Sequence, residues 1–168
     1  MEHRKHVRQV LNRLQENQLY AKIEKCTFET TRIEYLGFII TPGHIEMDPK
    51  KVEAILQWPT PTSVKAVQRF VGFANYYRRF INSFSRIIRP ITQLTTKQNR
   101  FQWTPQAQHA FELLKQKFTT APILVLPDPE KPYFLEVDAS ETAVGAVLSQ
   151  RHGEKDSLHP VSFYSNPA

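Results

Sequence analysis

A single cysteine, Cys26, stands among 168 residues, so no internal disulfide can brace the fold. Its isolation fits a reducing compartment, and the expected location is intracellular, cytoplasmic or nuclear. Long apolar runs are also missing. Leu36 to Ile40 and Ile123 to Leu126 fall far short of the ~20 residues a bilayer requires, and the charged start from Met1 to Arg8 has no apolar signal region. No membrane partner is expected. The six histidines keep no spacing with cysteine that suits zinc. His3 and His6 read as surface residues, and Cys26, with no evident base partner, as a small part-buried side chain. Neither an internal repeat nor a low-complexity tract is present.

Acid is missing from one whole third of the chain. The net charge is +6, yet residues 1–53 carry nine Lys/Arg against eight Asp/Glu and residues 112–168 carry five against eight. Residues 54–111 hold eight basic side chains (Lys65, Arg69, Arg78, Arg79, Arg86, Arg89, Lys97 and Arg100) and no acid. A solvated helix face normally mixes both signs. An acid-free block interleaved with aromatic residues points instead to a polyanion, with nucleic acid favoured and an acidic protein left open. Carboxylates are scarce at the other end as well. Asp138 closes the apparent strand of FLEVDASETAVGAVLSQ, and after it only Glu141, Glu154 and Asp156 remain, all in turn or loop segments. A two-metal nuclease site needs carboxylates from several elements, clamping ions roughly 3.5–4 Å apart. Asp138 alone does not supply that.

A 40 % hydrophobic fraction with eleven Phe is enough for a packed core, in one domain or two small ones. Glu2 to Asn17 has apolar residues at helical spacing. Short strands are expected between Cys26 and Thr41, with Pro42-Gly43 as a turn and His44 to Met47 returning as a hairpin arm. Asp48-Pro49 reads as an N-cap and first helical residue, opening a helix to about Trp58 before Pro59 and Pro61. Further helices are expected over residues 63–81, 84–94 and 104–118, with Ser63 and Thr104 as caps and Pro105 at a first helical position. Beyond Pro122 the period becomes two. Strands are expected over 133–138, 143–150 and 160–165, with turns at 139–142 and 152–157 and nothing helical following to cover them.

Along residues 63–81, a step of about 100° per residue gathers Lys65, Gln68, Arg69, Gly72, Asn75, Tyr76 and Arg79 on one arc. Val67, Phe70, Val71, Phe73, Ala74, Tyr77, Phe80 and Ile81 lie opposite. Gln68, Gly72 and Tyr76 recur every four residues, lining up an amide, a gap and a flat ring. An interior helical glycine costs roughly 0.5–1 kcal/mol relative to alanine, so Gly72 serves either close approach of another backbone or packing against a neighbouring helix. Trp58 and Trp103 flank the block, for base stacking or for core anchoring.

Five blocks in order carry a resemblance: EYLGFIITPGHIEMDPKKVEAI, WPTPTSVKAVQRFVGFANYYRRFI, PITQLTTK, FQWTPQAQHAFELLKQKFTTAPILVLPDP and FLEVDASETAVGAVLSQ. From about His6 to Ser165 the chain resembles the polymerase thumb and the beginning of the ribonuclease H domain in the Pol polyprotein of gypsy-type long-terminal-repeat retrotransposons. The resemblance implies an α+β chain. Residues 1–48 would be the end of a polymerase palm with a primer-grip hairpin, 49–121 a helical thumb, and 122–168 the first three strands of a truncated ribonuclease H-like sheet. Tyr35, Leu36, Gly37 and Phe38 resemble the primer grip. Gln68, Gly72 and Tyr76 are similar to the track that polymerase thumbs lay into a duplex minor groove, beside Lys65, Arg69 and Arg79. The implied partner is an RNA–DNA hybrid or duplex DNA, bound without regard to sequence and with strong salt dependence.

Asp138 resembles the first metal-binding carboxylate of a ribonuclease H site, which uses two Mg²⁺ or Mn²⁺ ions in the family. The family's whole protein is an RNA-directed DNA polymerase and an endonuclease for RNA–DNA hybrids. This chain has no adjacent aspartates of the Tyr-x-Asp-Asp kind and no later ribonuclease H carboxylates. It is therefore expected to be a fragment that neither polymerises nor cleaves alone, and the alternative is a non-catalytic nucleic-acid-binding or interaction module. Glu136 shares a strand face with Asp138 but reads as an exposed charge.

Overall fold

The computed structural model describes residues 2–96, 101–140, 143–153 and 156–167. Lys97 and Arg100 of the basic block, and the carboxylates Glu141 and Glu154, lie outside the described residues. The chain divides into two compact units, Met1–Ile33 and Glu34–Ala168. In the first, helix α1 (Glu2–Glu16) buries none of its residues, and Arg4 pairs with Glu29 at 2.5 Å. His3 and His6 are exposed there, and the Cys26 thiol is half-buried, 3.2 Å from the Lys22 carbonyl.

The second unit is α+β. Strands β1 (Ile33–Tyr35), β2 (Phe38–Thr41) and β3 (His44–Met47) form successive hairpins, and β4 (Leu124–Val125) returns much later in the chain to complete the order β1-β2-β3-β4. Pro42-Gly43 makes the second turn, with Gly43 at φ +76° as that turn requires. Helix α2 (Pro49–Leu56) opens where the caps predict, since the Asp48 carboxylate accepts from the Lys50 amide at 2.8 Å. Helices α3 (Val64–Tyr76) and α5 (Pro105–Thr119) begin in the same way, with the Ser63 and Thr104 hydroxyls each accepting from the third amide onward at 3.2 Å. Between them lies α4 (Phe84–Thr92), continued by a 3₁₀ turn over Gln93–Thr95. Lys115 on α5 donates to the carbonyls of Leu56 and Trp58, closing the open end of α2. Burial lowers the Lys115 pKa, a shift its neighbour Glu112 opposes.

The core sits among these helices. Phe70, Phe80, Phe111, Leu114 and Phe118 are buried with Ile55, Ile81 and Ile91. Each such side chain contributes ~1.5–3 kcal/mol by leaving water. Trp58 packs on Phe70 and Phe73 with ring centroids 5.8 and 5.1 Å away, and Trp103 packs edge-on against Phe111 while donating to Gln108 at 2.7 Å. Both tryptophans pack against the core.

The helix expected over residues 63–81 is shorter in the structure. Tyr77 leaves helical geometry at φ −101° and ψ 9°, Arg78–Phe80 form a 3₁₀ turn, and Ser83 adopts a left-handed conformation. Breaking the helix there lets Tyr77, Phe80 and Ile81 all be buried while Arg78 and Arg79 reach another element.

That element is a second antiparallel sheet, β5 (Tyr133–Ser140), β6 (Ala143–His152) and β7 (Ser157–Pro167), in the order β5-β6-β7 with a register shift at Leu148/Ser149. The three strands are those expected, with β5 and β6 running two residues further at their C-terminal ends and β7 longer at both. The lack of cover expected for them is half corrected, because β7 packs against α4, β4 and the 3₁₀ turn at Arg78–Phe80. Helix α4 and that turn, which precede the sheet in sequence, thus cover β7. At the far edge β5 is exposed at all but Phe134, with Leu135 and Val137 64 % and 60 % exposed. No helix among the described residues is long and apolar enough to cross a membrane.

Candidate nucleic-acid interface

Tyr35, Leu36, Gly37 and Phe38 form a two-residue hairpin between β1 and β2, with Leu36 at φ +51° and Gly37 at φ +81°. Two consecutive positive φ values match the twist of paired strands, and glycine adopts them freely, whereas leucine does so under strain. Strain of this kind collects at sites the surroundings hold in place. Two adjacent tyrosines do the holding. The Tyr76 hydroxyl donates to the Leu36 carbonyl at 2.8 Å, and the Tyr77 hydroxyl donates to the Gly37 carbonyl at 3.4 Å. Asp48 adds its amide to the Gly37 carbonyl at 3.0 Å. Beneath the turn, Phe38 stacks on Tyr76 and Phe80 at 5.3 and 5.8 Å and meets Tyr77 edge-on at 5.4 Å. Burial, with the neighbouring Tyr76 and Asp48, pushes the Tyr77 pKa up to about 12, which keeps its proton in place for donation.

The hairpin tip faces water, with Tyr35 and Leu36 57 % and 67 % exposed. From it, α3 leads away. Lys65, Gln68, Arg69, Gly72 and Asn75 are exposed along one side and Tyr76 is 49 % exposed at the end nearest the tip. Gln68 and Tyr76 are eight residues apart, about 12 Å along a helix. No hydrogen bond or ion pair among the described residues engages the Lys65, Gln68 or Arg69 side chains. A Cβ built on Gly72 meets nothing within 4 Å. The packing explanation for that glycine therefore falls away, and open space over exposed backbone remains. Hairpin tip and helix row form one continuous surface, cationic on one flank and free of acid along α3.

Two of the expected residues lie elsewhere. The Arg79 guanidinium is half-buried, with Nη2 donating to the Val161 carbonyl of β7 at 3.4 Å and its buried Nε without a partner among the described residues. It left the α3 arc because the helix ends at Tyr76. Asp138 is exposed on β5, opposite Gly145, and lines a recess of about 40 Å³ with Ser83, Arg86 and Ser165. Glu136 is exposed two residues before it, and Asp156 is tied to Arg151 at the β6–β7 turn. Among the described residues no group of three His, Cys, Asp or Glu side chains converges as a metal site. Among the carboxylates of the described residues, Asp138 and Glu136 on one strand do not fit a pair of divalent ions. Sequence periodicity missed Tyr77 and Arg78, the first because its ring belongs to the core. Its hydroxyl was the available signal, since a buried tyrosine needs a polar partner.

Residues 103–168 match the family model described as an RNase H-like domain found in reverse transcriptase. The matched stretch, α5 with β4 to β7, is thus similar to the ribonuclease H-like domain found in reverse transcriptase. The Transposon Tf2-3 and Tf2-4 polyproteins of Schizosaccharomyces pombe are each 37 % identical over 164 residues, 98 % of this chain and 12 % of their own length. The chain is related to the reverse transcriptase and ribonuclease H region of Ty3/gypsy-type retrotransposon polyproteins, and spans about an eighth of those relatives' length. Among solved structures, the foamy viral protease-reverse transcriptase in complex with RNA/DNA hybrid superposes with a TM-score of 0.79 at 24 % identity, covering 99 % of this chain and 22 % of that one. The same viral enzyme in complex with dsDNA gives 0.77 at 24 % identity, covering 99 % and 35 %. These likenesses are of fold.

Proposed function

We propose that this chain is the duplex-holding segment of such an enzyme, with residues 1–48 ending a palm, 49–121 forming a thumb and 122–168 beginning a ribonuclease H-like sheet. Its role is to hold an RNA–DNA hybrid or duplex DNA by the backbone, without reading sequence. Tyr35 to Phe38 position one strand at the hairpin tip, Gln68, Gly72 and Tyr76 enter a groove, and Lys65 and Arg69 neutralise phosphates. The observation that carries this reading is the empty space over Gly72 on a helix whose last turn grips the hairpin through Tyr76. No contact among the described residues requires a glycine there, so its ~0.5–1 kcal/mol cost points to an external reason.

Gly72→Ala should accordingly change two measurements in opposite directions. Chemical denaturation should show the variant more stable by about 0.5–1 kcal/mol, while fluorescence anisotropy should show weaker binding to a hybrid duplex. Arg69→Glu should weaken binding alike on unrelated sequences and lower the salt slope by about one. Unchanged affinity in both variants would remove the interface.

Asp138 is the lineage's first ribonuclease H carboxylate on this reading, without the partners a two-ion step needs. The purified chain is expected to leave a labelled RNA–DNA hybrid intact in Mg²⁺ or Mn²⁺. A divalent-dependent cut that Asp138→Asn abolishes would show that the carboxylates suffice after all.

A further inference from the structure

A groove of about 870 Å³ runs between α4 and α5 and shares no residue with the α3 row or the hairpin. Arg86 on one helix and His109 and Lys117 on the other stand exposed at its rim, and no acid lines it. None of the ion pairs among the described residues engages these three side chains. The floor is apolar, made by Ile87, Pro90 and Leu113, all half-buried. No Phe, Tyr or Trp among the described residues contributes.

That last point separates two anionic occupants. A single nucleic-acid strand is held by cations together with aromatic platforms on which its bases stack. Here the cations are present and the platforms are not. An aliphatic floor between two basic rims instead complements an amphipathic helix with an apolar stripe and acidic flanks. Length agrees as well. Gln106 near the start of α5, then His109, Leu113 and Lys117 at three- and four-residue steps, make a lining of about 16 Å at 1.5 Å per residue, which is three helical turns.

We infer that the α4–α5 groove is a docking site for an acidic amphipathic helix of a protein partner. The acid-free block then serves two polyanionic surfaces on different faces, nucleic acid along α3 and an acidic protein segment between α4 and α5. The apolar floor supplies burial and the rim supplies choice, since a basic helix would set like charges together.

Fluorescence anisotropy on the full chain tests this with a labelled fifteen-residue peptide carrying Leu at helical i, i+3, i+4 spacing and Glu on both flanks. The same peptide with Lys for Glu, and a fifteen-nucleotide single-stranded DNA, are the comparison probes. The Glu peptide should bind and the Lys peptide should not. Arg86→Glu with Lys117→Glu should weaken the Glu peptide by about tenfold or more, while Lys65→Glu with Arg69→Glu, an equal change of net charge on α3, should leave it within about twofold. Thermal melts identify any variant that is not folded, and chemical-shift perturbation of the Leu113 methyls in the unaltered chain then reads the site directly. Three results would each overturn the inference: no preference for Glu over Lys, equal loss in both charge reversals, or single-stranded DNA bound in the groove in place of the peptide.

Discussion

Arg78→Ala should loosen the three-stranded sheet from the helices and cost ~2–3 kcal/mol of stability, because it removes charge-assisted hydrogen bonds from a largely buried junction. The Arg78 guanidinium donates to the Ser165 carbonyl, to the Ser85 hydroxyl at 3.3 Å and to Asn75 Oδ1 at 3.3 Å, and lies 5.7 Å from the centre of the Phe84 ring. Beside it, the Ser85 amide donates to the Ser165 hydroxyl at 2.9 Å and the Ser85 hydroxyl to the Ser165 carbonyl at 2.8 Å, with both serines buried. No carboxylate takes part, so the charge is distributed over carbonyls and hydroxyls. Three antiparallel strands gain little stability alone and depend on the face that packs. Urea denaturation should show the loss, and hydrogen exchange should place it, with β7 amides losing protection while those of α3 and α5 keep theirs. Arg78→Lys should restore little, since an ammonium's three donors radiate from one nitrogen and do not span acceptors that Nη1 and Nη2 reach separately. A loss below about 0.5 kcal/mol would mean that the Ser85–Ser165 bonds, the Arg79 contact and the packing of β7 secure the sheet without Arg78.

The parts legible in sequence were those set by neighbours in the chain. Asp48-Pro49, Ser63 and Thr104-Pro105 announce three helix starts because a cap uses amides two or three residues away. Pro42-Gly43 announces a turn for the same reason. Elements decided by distant contacts were illegible. β4 is two residues long and exists as a strand because it pairs with His44 and Ile45, so it carries no period of its own. The end of α3 at Tyr76 depends on β7, some eighty residues onward, whose Ser165 and Val161 carbonyls draw Arg78 and Arg79 out of the helix. The polar arc was sound through Tyr76 and failed at Arg79, where helical stepping had no helix beneath it. Gly72 was readable as an anomaly, but only the empty volume beside it separates the two explanations.

The largest effect is expected at Gly37. A Cβ there would fall on the Tyr77 hydroxyl, well inside contact distance, with the ring carbon Cζ 3.5 Å away, and the backbone sits at φ +81°. Left-handed geometry costs an alanine ~1–2 kcal/mol, and overpacking a tight contact adds ~1–3 kcal/mol. Tyr77 cannot retreat cheaply, since it is buried with Phe73 5.4 Å away, Tyr76 4.9 Å away and Phe38 on the hairpin side. Gly37→Ala should therefore lose ~2–4 kcal/mol in urea denaturation and weaken duplex binding as the tip shifts. Tyr77→Phe separates the causes. It removes the colliding oxygen together with a donor to the Gly37 carbonyl, which retains the Asp48 amide. In the double variant the collision should disappear while the left-handed cost stays, giving a favourable coupling of ~1–2 kcal/mol between two positions forty residues apart. Strict additivity of the two substitutions would mean that the turn and the end of α3 move independently, and the hairpin and helix row would then no longer act as one surface.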